Sequence, residues 1–152
     1  MATAVADFTG TWHLDNEASD SFDEIMKAEG LNMIARNFAA RLKVTQEIVQ
    51  SDSHLTITAR TKWGAHTTDA SLNGETEIKT NRQGKEYRAC HYWDPDGTTL
   101  ITKVESTHPD GRPIETIVRR FLEDGNATMV QQVELRYSTG EIYSARRIFR
   151  RG

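Results

Sequence analysis

The side chains that could carry chemistry are five histidines, one cysteine and two knots of arginine. His13, His54, His66, His91 and His108 stand far apart, with no HxH or HExxH spacing. Metal ligands close in sequence need such spacing to converge, so the scatter predicts no metal site and no cofactor. Cys90 and His91 are neighbours, and neighbouring strand residues point to opposite faces, so they form no nucleophile–base dyad. Cys90 reads instead as a small buried residue. No GxSxG segment occurs, and catalysis has no motif to rest on. His91 and Trp93 share one strand face, which is either a polar lining or, more plainly, a solvent side. TIVRRFLEDG holds Arg119 and Arg120, of which only one can point inward from a strand. SARRIFRRG holds Arg146, Arg147, Arg150 and Arg151 and reads as a final strand with exposed arginines. Transient contact with an anionic membrane is the sharper reading of that segment.

The chain that must position these groups has 152 residues, enough for one domain with a core. Its net charge of −3 and pI near 5.9 supply no basic field for nucleic acid. A lone cysteine excludes an intramolecular disulfide and fits a reducing compartment, so a cytoplasmic location is expected. MATAVADFTG lacks the basic start and apolar run of a secretory leader. No stretch approaches the roughly 18 apolar residues of a membrane span. Asn126-Ala127-Thr128 is a glycosylation sequon by letter, without consequence in a cytosolic protein.

Phe8, Trp12 and Leu14 read as an opening strand. Ser21 with Glu24 reads as a capping box ahead of an apolar face of Phe22, Ile25 and Met26, and Gly30 ends the turn. A second helix starts near Asn32, with Ile34, Phe38 and Leu42 on one stripe and Arg36, Asn37 and Arg41 opposite. After Lys43 the apolar period changes to two, and tight turns recur every ten to fifteen residues or so. Ten antiparallel strands are expected, near 7–15, 43–51, 54–62, 65–72, 75–81, 85–93, 98–107, 112–122, 126–137 and 141–150. Many are poor in large apolar residues on both faces, as in TKWGAHTTDASLNGETEIKTN and MVQQVELRYS. A sandwich needs a dry face on each sheet, whereas a barrel around a wet cavity does not. The expected fold is therefore all-β, a single-domain up-and-down barrel with a two-helix lid between its first two strands.

Gly10-x-Trp12-x-Leu14, then Phe22, Asp23, Glu24 and Met26, then Gly30, resembles the intracellular lipid-binding proteins: the fatty-acid-binding and cellular retinoid-binding proteins of the calycin group. That family runs strand, two-helix lid, then nine more strands, the order read here. Ser21 stands where the family usually has Asn, two extra residues sit between Leu14 and Phe22, and loops near 94–97, 108–113 and 136–141 look longer than usual. The chain reads as a divergent member.

The resemblance implies a monomeric, non-enzymatic carrier of a small hydrophobic ligand, most simply a long-chain fatty acid or similar carboxylate. In the family two arginines and a tyrosine meet that carboxylate, the last two as Arg-x-Tyr. Arg147-x-Phe149 occupies the matching place, with the arginine kept and the hydroxyl donor lost. Arg119 fits the other arginine, with Arg120 the alternative if the register slips by one. A guanidinium is permanently charged and donates in a planar fork that suits a carboxylate. Phe22, Met26, Met33, Ile34 and Phe38 are expected to pack the lid on the barrel mouth. Phe22, Met26, Met33 and Phe38 are the ligand contacts expected there. Trp12 is expected in the core, and Trp63 is a candidate portal residue. Two other readings stay open: an enzyme reusing the barrel, as some luciferases do to oxidise a heterocycle, and a carrier of a retinoid or sterol.

Overall fold

The computed structural model describes residues 5–80 and 84–152. It is built from ten strands and two short helices. Strand β1 (Gly10–Asp15) is followed by α1 (Asp23–Ala28) and α2 (Met33–Ala40). Then come β2 (Thr45–Gln50), β3 (His54–Thr61), β4 (Gly64–Ser71), β5 (Glu77–Thr80) and β6 (Glu86–Trp93). Strands β7 (Leu100–Thr107), β8 (Pro113–Glu123), β9 (Thr128–Tyr137) and β10 (Ile142–Arg151) complete the chain. Nearly every boundary falls within two or three residues of the expected one. The turn expected at Arg82-Gln83 lies outside the described residues.

All ten strands form one antiparallel sheet in the order β4-β3-β2-β1-β10-β9-β8-β7-β6-β5. The first strand lies between the second and the last, pairing Leu14 with Phe149 and Trp12 with Gln46. The sheet curls into the wall of a barrel. Among the described residues β4 and β5 share no ladder; there Lys79 Nζ donates to the Asp69 carbonyl at 2.8 Å.

Strand alternation sets which residues face in. One end is closed by Phe8, Trp12, Ile48, Leu55, Ala70, Leu100, Met129 and Phe149, all buried. The rings of Phe8 and Trp93 stack at 5.9 Å, and Trp12 Nε1 donates to the Phe8 carbonyl at 2.8 Å. The other end is covered by α1, whose Ile25 packs with Ile114, Leu135, Tyr137 and Ala145. The Tyr137 hydroxyl donates to the carbonyl of Ala28 at 2.7 Å and ties down the end of α1.

The lid departs from expectation in two ways. The capping box does not form: Phe22 is the N-cap, and Ser21 Oγ accepts from the amide of Asp23 instead. Asn32, by contrast, caps α2 by accepting from Ala35 N at 2.9 Å. Most consequentially, α2 buries none of its residues: Met33, Ile34 and Phe38 are 67%, 70% and 57% exposed. The reason is Arg36, which folds back to Asp23 Oδ1 and the Leu31 carbonyl, both at 2.8 Å. That ties α2 to α1 and leaves it standing off the barrel. Cys90 is half-buried where a buried thiol was expected.

The aromatic plug of the closed end should dominate stability. Replacing a buried Trp by Ala typically costs about 3–5 kcal/mol. Trp12→Ala is expected to lose that much in urea unfolding followed by circular dichroism, whereas Trp63→Ala, on an exposed turn, should change stability by less than about 0.5 kcal/mol.

Candidate functional site

Above the plug, the inward face of the wall is polar. Arg120 on β8, Gln131 on β9 and Arg147 on β10 form one inward row across three paired strands. Arg120 is only 8% exposed. Arg119, the residue expected inside, pairs with Gln132 on the other face. The reason is register: Arg120 lies opposite Gln131 and Leu100, both interior, so its neighbour must face out.

The amide of Gln131 lies against both Arg120 and the amide of Gln46 on β2. A guanidinium has donors only, so the Gln131 oxygen must face it. That oxygen then accepts from Arg120 Nε at 3.2 Å and Nη2 at 2.6 Å, and the Gln46 amide turns its NH2 toward the same oxygen at 3.1 Å. A hydrogen-bonded bridge therefore runs from β2 to β8.

Arg147 has no such support. Its guanidinium sits between two rings, 5.4 Å from Phe22 of the lid and 5.2 Å from Phe149 of the plug. Among the described residues no carboxylate lies within ion-pairing distance of Arg120 or Arg147. Burial, and secondarily the charge of Arg147, lower the pKa of Arg120 to about 10. Burial lowers that of Arg147 as well. Two cations in a partly desolvated interior, with no anion within ion-pairing distance among the described residues, carry an uncompensated desolvation cost.

A cavity of about 440 Å³ opens over Arg147, lined also by Leu14, Ser19, Phe22, Met26, Ala39 and Val44. A second cleft, of about 670 Å³, lies under α2 between Ile34, Phe38, Arg41, Leu42, Lys43 and Lys62. Trp63 meets Phe38 edge-on at 6.4 Å across its rim. The structure thus brings Phe22, Met26 and Arg147 together and puts Phe38 at the outer cleft. Met33 points to solvent. Phe149 belongs to the sealed plug and supports Arg147 from below. Neither Tyr137 nor Tyr143 replaces the hydroxyl absent at Phe149: Tyr137 is engaged with α1, and Tyr143 donates to Glu141 at 2.9 Å at the surface. Gln46 was not expected at the site; Arg120 was expected there only as the alternative to Arg119, and Gln131 only as a mid-strand glutamine signalling a polar interior. Among the described residues no three His, Cys, Asp or Glu side chains gather as metal ligands.

No family profile matches the chain. It is 33% identical to sodium/calcium exchanger regulatory protein 1 of Doryteuthis pealeii over 131 residues, covering 84% of this chain and 89% of that protein. It is 30% identical to retinol-binding protein 1 of Bos taurus over 102 residues, covering 65% and 73%. In structure it resembles lipid binding protein 8 of Caenorhabditis elegans, with a TM-score of 0.74, 17% identity and coverage of 97% and 99%. A Drosophila melanogaster brain fatty acid-binding protein gives a TM-score of 0.70 at 20% identity, covering 95% and 99%.

A buried cation without a counterion opposes folding. Arg120→Met removes it while Gln46 still supplies a donor to Gln131. The ligand-free variant should gain about 1–3 kcal/mol, read as a higher urea midpoint at unchanged slope. A lower midpoint would mean that the bonds to Gln131 outweigh desolvation.

Proposed function

The chain belongs to the intracellular lipid-binding protein family, whose members include fatty-acid-binding and retinol-binding proteins, and from that premise we propose that it binds and carries a long-chain fatty acid or similar amphipathic carboxylate in its barrel. The observation that carries this reading is the pair of interior arginines, Arg120 and Arg147, with no carboxylate of the described residues within ion-pairing distance of either. A ligand carboxylate supplies the missing charge, and the Phe22 and Met26 side of the lid covers it.

Magnitudes divide the labour. Burying about 14 methylenes at about 0.8 kcal/mol each offers roughly 11 kcal/mol before ordering losses. A charge-assisted hydrogen bond adds about 1.5–3 kcal/mol. The chain therefore sets affinity, and the arginines set orientation. Carriage requires the ligand to enter and leave unchanged. The exposed, apolar α2 over its cleft offers a path for that, since little burial opposes its displacement.

A second reading, a neutral retinoid alcohol, has support from Gln46 and Gln131, which pair as well with a hydroxyl, and from the retinol-binding relative. Native mass spectrometry of freshly purified protein, followed by identification of the extracted ligand, separates the two. A co-purified heterocycle or oxidised product would instead favour an enzyme.

The head-group assignment has its own test. Arg147→Gln should weaken binding of a long-chain acid about tenfold to a hundredfold by calorimetry, and binding of the matching alcohol by less than about twofold. Equal losses for both would remove Arg147 from head-group recognition.

A further inference from the structure

We propose that His91 and Thr102 form a second polar subsite, which takes a neutral oxygen function (a hydroxyl or keto group) on the hydrocarbon body of the bound acid. This rests on the reading that a lipid acid binds with its head group at Arg120 and Arg147.

His91 is 8% exposed and lies on the inward face of β6, opposite Thr102 of β7. Its Nδ1 is 2.8 Å from Thr102 Oγ1. The other ring nitrogen, Nε2, has no protein partner among the described residues, yet it is not sealed off as an orphaned buried atom. A purely structural histidine at this depth would have both nitrogens satisfied, because an unmatched polar group in the interior costs free energy. Here one nitrogen is fixed by the wall, and the other, on an inward-facing side chain, has no partner among the described residues.

The charge around the ring selects the partner. Burial foremost, then the positive charge of Lys79 on β5, lower the pKa of His91; Glu77 opposes this, and Arg120 on β8 adds to it. Lys79 and Glu77 face each other at 3.5 Å. The imidazole is therefore neutral near pH 7, with one donor and one acceptor. It can complete a hydrogen bond with a hydroxyl or a carbonyl, but it offers no charge to a second carboxylate.

Position selects where on the ligand that oxygen sits. Trp93, Leu100 and Arg120 form one inward row, and His91, Thr102 and Val118 form the next. The rows are two residues apart, about 7 Å along the strands. The Arg120 row adjoins the apolar plug through Leu100 and Trp93, so the His91 row lies on the lid side. A chain running from the arginines toward the lid passes His91 part-way along its length.

The experiment is calorimetric titration of stearate against monohydroxystearates that differ in hydroxyl position. The expected result is one position that binds about tenfold tighter than stearate. His91→Phe and Thr102→Val should each collapse that ratio toward one. Without any mutation, the ring-nitrogen NMR shifts of His91 should move with the preferred hydroxystearate and not with stearate, which covers the case of a variant that fails to fold. Stearate binding with no positional preference, or a preference that survives in both variants, overturns this subsite and leaves the proposed function standing. Failure of every acid to bind the wild-type protein overturns the proposed function, and the subsite falls with it.

Discussion

The molecule depends on the pairing of its first strand with its last. β1 joins β10 on one side and β2 on the other, and this turns a long meander into a continuous wall. That pairing sets Trp12 and Phe149 in one fully buried plug, Phe149 opposite Leu14 of β1. It also explains the position of the lid. Antiparallel neighbours are connected at the same end of a sheet, so a chain leaving β1 to enter β2 must cross that end and return. The residues between Asp15 and Thr45 cross the open end as two helices, and Phe22 is thereby carried over Arg147 of β10.

A curled wall of ten strands encloses more space than its side chains fill, and the interior divides by height. At the closed end aromatic and aliphatic side chains interlock. Above them the inward positions carry Arg120, Gln131, Gln46, Arg147, His91 and Thr102. Hydrophobic residues there would stabilise the empty protein more. The price of the polar interior is two cations held out of water, and the plug below them supplies the stability that tolerates it. Support for the two arginines differs in kind. Arg120 is braced by the amide of Gln131, itself bonded to Gln46 on distant β2, whereas Arg147 is held by two rings, one of them on the lid. Movement of α1 therefore changes the surroundings of Arg147 directly and leaves Arg120 in place.

The lid is uneven. α1 is fixed by Ile25, by the Tyr137 hydroxyl on Ala28 and by Phe22. α2 is fixed chiefly to α1, through Arg36. Its apolar stripe was plain in the spacing of Ile34 and Phe38, but spacing says only that one face is apolar, not that the face finds a partner. The exposed stripe beside an open cleft makes α2 the part of the lid that can shift at least loss of contact.

What the sequence determined by itself was the order and type of elements. The change of apolar period after Lys43, the recurring tight turns and the sparse apolar content of the strands point to a wet barrel, because these are local properties of the chain. The plug residue Trp12 was legible for the same reason. The interior arginine was not. Arg119 and Arg120 are chemically identical neighbours, and choosing between them takes the register of β8 against β7 and β9, which is a relation between distant strands. The same holds for Gln46 beside Gln131, separated by 85 positions, and for His91, whose strand face could be read either way. The Ser21 capping box matched its pattern yet failed, since the packing of Phe22 under the lid sets where α1 begins. Local signals wrote the list of elements, and only closure of the wall decided which polar side chains share the space inside it.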